Sequence, residues 1–569
     1  MWDVLSARLG SLRTIGDNLR QAPDRVRTSA RLGRQSGLMW SLTRPGLLAL
    51  FRLLTSGSQN PSQIYRIHAK NSPSKPALIW RGRSTSFAEL DERIDRVSGG
   101  LARRGIDRKQ RVILMMHNRQ ELIEVVAAAA RTGAAAVAIS WRSTPSELVY
   151  LATHSGARGI VLEAELLPVL EAVKGELPAV FLENVFVVGE ASAQASVKTT
   201  PYDQLVAEPP PPQATSAPAG QGDEAAVVIY TSGTTGKPKG AVRKFPKEAM
   251  QAAFRFLNET PLRVDDVHIV TCPLYHSTAF GFMSLSHVLG QTVVLMDEFK
   301  AESFLELVDR YGVTTSAMVP TMLHRVMDLP LATRKKYDTR TLRAIFSGGA
   351  PLPAAVAIDF MDMFGDVLFN FYGATETGLV TLAKPADLRA APGTIGKALP
   401  RNVIRLVGED GRDVAEGAIG ELYVKNEMLV AGYHDDGEAT KQSMLDGFFS
   451  VGDLARRDVS GHYFLEGRKR DMVISGGVNV YPAEVERVLE QFPGIEEVAV
   501  VGIPDREWGE RVRAFVVMKN GTAPDEGALK LFARERLAGP KVPRDFRFVQ
   551  SLPRNPTGKV LKRELREMI

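Results

Sequence analysis

Tyr230-Thr-Ser-Gly-Thr-Thr-Gly-Lys-Pro-Lys-Gly240 stands directly after the run Glu224-Ala-Ala-Val-Val-Ile229. The run has the β-branched character of a buried strand. The stretch after it cannot continue one, because three glycines free its backbone to bend and to approach a ligand closely. Hydroxyls of Thr231, Ser232, Thr234 and Thr235, the open amides, and Lys237 and Lys239 offer donors and positive charge to phosphate oxygens. The segment therefore reads as a loop that cradles a polyphosphate. It is not a P-loop of Walker type, because Lys237 is followed by Pro238 and the spacing from Gly233 is too short.

Working outward, the strand-like runs ending at Tyr230, Cys272, Met296 and Tyr372 alternate with helix-like segments, which predicts sheets covered by helices. Upstream, residues 87–105 carry a helical pattern before the strand-like Val112–Met116. The apolar stretch 122–139 reads as a buried helix closed by Gly133 and followed by a strand. Residues 208–222, with prolines at 209 to 212 and 218, break either regular structure and form a surface linker. Residues 402–425, with the turn pair Asp410-Gly411, predict a small antiparallel β unit. The last hundred residues predict a compact α+β domain. The expected fold is α/β: a basic extension over 1–55, a large domain over 56–469 and a small C-terminal domain over 470–569.

Charge is distributed unevenly. Residues 1–55 hold nine Arg, no Lys and three Asp, a surplus of 9 − 3 = +6, which equals the formal charge of the whole chain of 569 residues. The rest is neutral, with 71 − 9 = 62 basic and 65 − 3 = 62 acidic residues. A neutral body argues against a nucleic-acid enzyme. In the extension Trp2, Leu5, Leu9, Leu12, Ile15 and Leu19 recur at helical spacing among Arg8, Arg13 and Arg20. A second apolar patch over 37–54 is interrupted by Arg44, Pro45 and Arg52, too short and charged to span a bilayer. Three readings of the extension stay open: contact with a membrane surface, packing on the protein's own body, and an Arg-rich organellar transit peptide. The first places the protein in the cytoplasm, peripheral at the inner face of the membrane; the last places it in an organelle matrix. The single cysteine, Cys272, excludes an intrachain disulfide and reads as a buried thiol.

Further segments follow the phosphate loop in order: Ser347-Gly-Gly-Ala-Pro-Leu352, Tyr372-Gly-Ala-Thr-Glu-Thr-Gly378, Gly447-Phe-Phe-Ser-Val-Gly-Asp-Leu454, Tyr463-Phe-Leu-Glu-Gly-Arg-Lys-Arg-Asp471, Ser475-Gly-Gly-Val-Asn-Val-Tyr-Pro482 and Pro553-Arg-Asn-Pro-Thr-Gly-Lys559. Together they resemble the adenylate-forming superfamily of acyl-CoA synthetases, peptide-synthetase adenylation domains and firefly luciferase, with fatty-acid CoA ligases nearest. The resemblance runs over about 56–569 and leaves only the extension outside. It implies that the phosphate loop, Thr231 to Lys237 with Gly233 and Gly236, holds ATP. It places Gly349, Ala350 and Pro351 against the adenine, with Tyr372 stacked on the base beside Gly373. It puts Thr375 on the α-phosphate, Glu376 on Mg²⁺, and Asp453 and Arg468 on the ribose. Val451 stands where relatives more often carry Thr. Arg470 falls at the domain hinge, Gly476 and Gly477 in the loop for the thiol-transfer step, and Lys559 is the mobile lysine of adenylation, with Thr231 and Glu376 as its catalytic companions. A hard cation that takes one or two carboxylates with phosphate oxygens suits Glu376.

The resemblance implies an ATP-dependent, AMP-forming acid:CoA ligase with CoA as co-substrate. Tyr275 to Phe282, with His276, Phe280 and Gly281, occupies the region that lines the acid pocket in relatives. Nothing between Tyr275 and Gly290 is acidic, which disfavours an amino acid and suits an apolar acyl tail, and the extension tilts the expectation to a long-chain fatty acid. A medium-chain or aromatic acid, a carrier protein as acceptor, and a non-catalytic lipid-binding protein on this fold are the alternatives. His276 contacts the carboxylate, gates the pocket or packs beside the nucleotide.

Overall fold

The computed structural model describes residues 36–37, 41–49, 60–190, 195–207, 209, 227–231, 239–243, 247–374, 376–426, 429, 441, 443–519, 522–523, 525–554 and 560–568. The chain forms two compact units: residues 1–300 with 306–316 and 341–344, and residues 301–305 and 317–340 with 345–569.

The first unit contains a seven-stranded sheet. Its order runs Thr200–Pro201, Val185–Val188, Gly159–Glu163, Arg111–Met115, Ala135–Ile139, Val227–Thr231, Lys239–Arg243. Neighbours are parallel except the last two, whose antiparallel register sets Thr231 opposite Lys239. Ala135–Ile139, Gly159–Glu163 and Val185–Val188 are buried along their whole length, which explains their near-continuous aliphatic runs, since helices cover parallel sheets on either side. Helix Phe87–Ala102 starts at a capping box, with Ser86 accepting from the Glu89 amide and Glu89 accepting from the Ser86 amide, which satisfies two otherwise orphaned donors. Helix Gln120–Thr132 ends at Gly133 with φ +79°, the left-handed stop that the sequence predicts. Strands Arg83–Ser86, Pro76–Trp80, Thr292–Leu295 and Val267–Val270 lie side by side in the same unit. Cys272 is buried there, as expected.

Three of this unit's buried histidine rings carry a pH dependence of stability. Burial lowers His68 and His287 to about 4 and His268 to about 3. His287 Nδ1 lies 3.0 Å from the Tyr65 hydroxyl and His268 Nδ1 lies 3.0 Å from Thr315 Oγ1. All three are neutral in the fold, whereas the unfolded chain protonates them near pH ~6.5. The unfolded state thus binds more protons below that pH, so stability is complete above it and falls as pH drops towards about 4, on the order of 2–3 kcal/mol per ring. Thermal melts should show the midpoint dropping markedly between neutral pH and the acid side of this window. A flat midpoint would contradict the burial of neutral imidazoles.

In the second unit, strand Leu368–Ala374 runs parallel to Ile345, Phe346 and Ser347 and pairs antiparallel with Gly378–Ala383. The antiparallel unit predicted over 402–425 is a sheet of Val403–Val407, Gly420–Lys425, Phe448–Arg457 and Met444–Leu445, with Tyr463–Arg468 on Phe448–Arg457. The last hundred residues form the predicted α+β arrangement: hairpin strands Val473–Ser475 and Val478–Val480, long strands Ile495–Asp505 and Gly509–Met518, and helices Pro482–Leu489 and Glu526–Arg534 over a core of Val485, Leu489, Val500, Val516 and Leu529. No helix of the described residues is long and apolar enough to cross a membrane.

Candidate active site

Strand ends in the second unit carry several of the residues expected to meet the nucleotide. The chain leaves Ser347 through Gly348, where a Cβ would meet the Phe371 ring at 2.5 Å, and Gly349, which takes φ +83°. Only glycine fits both demands. The turn thereby lays Gly349, Ala350 and Pro351 at the end of a strand whose neighbour carries Asn370, Phe371 and Tyr372, since Ser347 pairs with Asn370.

Tyr372 is buried, and its hydroxyl donates to Asp453 Oδ2 at 2.7 Å. The second carboxylate oxygen of Asp453 lies 3.1 Å from Arg468 Nε. Asp453 and Arg468 are register partners of one hairpin, so the two expected ribose contacts are fixed together by backbone pairing. Burial, and then the Asp453 charge, push the Tyr372 phenol well above its ordinary range, so it stays a donor. Gly452, at φ +78°, donates its amide to Ser450 Oγ at 2.9 Å, and Ser450 Oγ donates to Glu421 at 2.7 Å. The backbone at the Val451 position is therefore held by Ser450, with no hydroxyl needed at 451.

Glu376 sits at the tip of the tight hairpin between Leu368–Ala374 and Gly378–Ala383. Gly373 permits that hairpin, because a Cβ there would come within 2.1 Å of the Gly378 carbonyl oxygen. Thr377 Oγ1 accepts from the Ala374 amide at 3.1 Å, and Asn426 Nδ2 donates to the Thr377 carbonyl at 2.9 Å, bracing the tip. Glu376 is half-buried and, among the described residues, has no hydrogen-bond or ion-pair partner, so its oxygens suit a hard divalent cation shared with phosphate.

Arg470 is exposed in the turn Lys469–Asp471. Ion pairs flank it on both sides, Lys469 to Glu421 at 2.8 Å and Asp471 to Arg566 at 2.9 Å. Gly476 and Gly477, at φ +59° and +77°, are the two central residues of a two-residue hairpin closed by the Ser475 and Val478 pair. A turn with both central φ positive is the primed type that glycine favours. A Cβ on Gly476 would meet the Trp508 ring at 2.7 Å. Gly476→Ala is therefore expected to displace this tip and cut thioester formation roughly tenfold, through strain of about 1–2 kcal/mol, while acid-dependent pyrophosphate release is retained. Separate assays of the two half-reactions check this; equal losses in both would remove the loop from the second step.

In the first unit His276 occupies the N-cap position of helix Ser277–Leu289 without a side-chain capping bond. Its ring lies 4.2 Å from that of Tyr275, its Nε2 is buried with no partner among the described residues, and burial lowers it to about 4. Phe280, Phe282 and Met283 are buried; Phe282 packs edge-on against Phe256 at 5.8 Å. Gly281 is exposed, with open space where a Cβ would stand. Of the apolar run, Phe280, Phe282 and Met283 are thus buried, while Gly281 is exposed beside open space. Asn118, which pattern reading passed over, clamps the segment leading to His276: Nδ2 donates to the Cys272 carbonyl at 3.0 Å and Oδ1 accepts from the Leu274 amide at 2.8 Å. The available hint was a lone Asn three residues beyond a buried strand.

Thr231 ends strand Val227–Thr231. Ser232 to Lys237, Thr375 and Lys559 lie outside the described residues.

Residues 65–434 match the model of the AMP-binding enzyme family, and 484–559 match that of the AMP-binding enzyme C-terminal domain. The chain is 32% identical to the fatty acid–[acyl-carrier-protein] ligase ScoC of Streptomyces coeruleorubidus, over 89% of this chain and 95% of the relative. It is 30% identical to the long-chain-fatty-acid–CoA ligase FadD13 of Mycobacterium tuberculosis, over 90% and 98%. Among solved structures, the anthranilate CoA ligase AuaEII in complex with anthranoyl-AMP aligns with a TM-score of 0.80 at 26% identity, covering 90% of this chain and 97% of that one.

Proposed function

Because the chain belongs to the AMP-binding enzyme family and is thus an AMP-forming acid–thiol ligase, we propose that it is a long-chain fatty acyl-CoA synthetase. It activates its acid as an acyl-AMP and then passes the acyl group to CoA. The reading is supported first by the Tyr372, Asp453 and Arg468 assembly, where a carboxylate held by backbone register faces the end of two strands and still has lone pairs to accept from two ribose hydroxyls.

The first step is an in-line attack of a carboxylate on the α-phosphorus of ATP, with pyrophosphate leaving. Both reactants are anions, so the protein must hold geometry and cancel repulsion. The phosphate loop, Thr231 to Lys237, grips the phosphates. By family resemblance Thr375 is assigned to the α-phosphate and Lys559 to the adenylation step. Glu376 would hold Mg²⁺, which when bound neutralises phosphate charge. Residues 56–469 form the adenylation domain and 470–569 the mobile one, with Arg470 as the pivot. Rotation withdraws Lys559 and brings Gly476 and Gly477 to the acyl-AMP.

For the acid, the run from Tyr275 to Gly290 lacks any carboxylate that could pair with an amino group, and the space at Gly281 admits an apolar tail. Similarity to ScoC favours one second reading, transfer to a carrier protein. The test is pyrophosphate release with a panel of acids, run with CoA, with an acyl carrier protein and with neither. Greatest turnover with long-chain acids, and thioester only on CoA, is expected. A preference for aryl acids, or thioester only on the carrier protein, would overturn the fatty acyl-CoA assignment.

A further inference from the structure

The side chain of Asn118 is buried, and both ends of its amide are directed at one loop. Donation to the Cys272 carbonyl and acceptance from the Leu274 amide fix the peptide groups on either side of Pro273. The proline ring sets φ at the residue between them. The His276 amide then donates to the Pro273 carbonyl at 3.0 Å, closing the turn Pro273–His276. The Phe280 amide donates to the His276 carbonyl at 3.0 Å, where helix Ser277–Leu289 begins. Beside the same turn, the Ser140 hydroxyl at the end of strand Ala135–Ile139 meets the Tyr275 phenol. The backbone from Cys272 to His276 is thus held from the ends of two strands of the seven-stranded sheet, while the buried His276 Nε2 has no partner among the described residues.

A buried polar atom left open inside a turn whose backbone is fixed this firmly has the form of a preorganised contact, because the partner it lacks is one that a ligand can supply. Burial keeps the imidazole neutral above a pH of about 4, so it meets an acid as a hydrogen-bonding group and not as a charge. We propose that Asn118 is a positioning residue for the carboxylic acid substrate: by holding the Pro273–His276 turn it sets where His276 Nε2 stands. Loss of the Asn118 amide strands one carbonyl and one amide in a buried loop. The loop can satisfy them only by moving, and His276, two residues beyond Leu274, moves with it. The nucleotide contacts Asp453 and Arg468 are fixed instead by their own hairpin register, so the effect falls on the acid and not on ATP. The inference rests on the reading of residues 275–281 as the acid region.

The test is a double-mutant cycle on the full-length chain, read by pyrophosphate release with dodecanoate or whichever acid of the panel is turned over fastest. Asn118→Ala is expected to raise the KM for the acid roughly tenfold, with the KM for ATP held within about twofold. His276→Ala should raise the acid KM as well, and adding Asn118→Ala to it should raise it no further, since the asparagine acts through the imidazole. Asn118→Asp keeps an acceptor for the Leu274 amide and loses the donor to the Cys272 carbonyl; it is the milder second variant and should show the same acid-selective rise at smaller size. A merely structural asparagine would lower the melting temperature and either leave both KM values alone or raise them together, and each of those results would overturn the proposal. Additive effects in the double variant would overturn it too. An acid KM that rises with His276→Ala but not with Asn118→Ala removes the positioning role alone, whereas an acid KM unmoved by His276→Ala removes the acid region itself and the proposal with it.

Discussion

Lys559→Ala is expected to lower adenylation by roughly 10²–10³, with thioester formation from supplied acyl-AMP largely spared. At an effective dielectric near ~20, one cation about 4 Å from one anionic oxygen contributes roughly 4 kcal/mol before desolvation, enough for several hundredfold in rate. In the proposed mechanism the lysine is needed only while carboxylate and phosphate are being brought together, and the second step has no such pair to reconcile. Single-turnover assays of each half-reaction separate the two steps. Equal loss in both would contradict the role.

Asp453→Ala should raise the KM for ATP by roughly 10²–10³, because it removes two hydrogen bonds to a charged acceptor, each worth about 1.5–3 kcal/mol. It also strands the Tyr372 hydroxyl and the Arg468 guanidinium, both of which lean on that carboxylate. Tyr372→Phe is the matching control: it keeps the ring and removes only the donor, so its effect should stay below about tenfold. If Tyr372→Phe were as damaging as Asp453→Ala, the hydroxyl and not the ring face would be the tyrosine's contribution. Nucleotide affinity measured without acid checks both variants apart from chemistry.

The two variants also mark where sequence reading succeeds and where it stops. Strands came from β-branched runs, the end of helix Gln120–Thr132 from Gly133, and the hairpin at 402–425 from its turn pair, because each depends on neighbours along the chain. Asp453 and Arg468 were legible as residues, but their pairing depends on hairpin register, and the Tyr372 hydrogen bond to Asp453 spans 81 positions. No local periodicity encodes that separation. The same holds for Asn118, whose bonds to Cys272 and Leu274 cross 154 and 156 positions. In the acid region an apolar run could not tell lining from core: Phe282 and Met283 turn inward because helix Ser277–Leu289 is buried over most of its surface, whereas Gly281 faces open space. The division into two compact units was likewise not legible, since it cuts across segments that are close in sequence, such as 301–305 and 306–316.

The most direct test of the ligase mechanism is exchange of labelled pyrophosphate into ATP by the purified full-length chain, with Mg²⁺ and without CoA. Exchange that appears only when a long-chain fatty acid is added is the predicted result. ATP binding with no exchange for any carboxylic acid would contradict it.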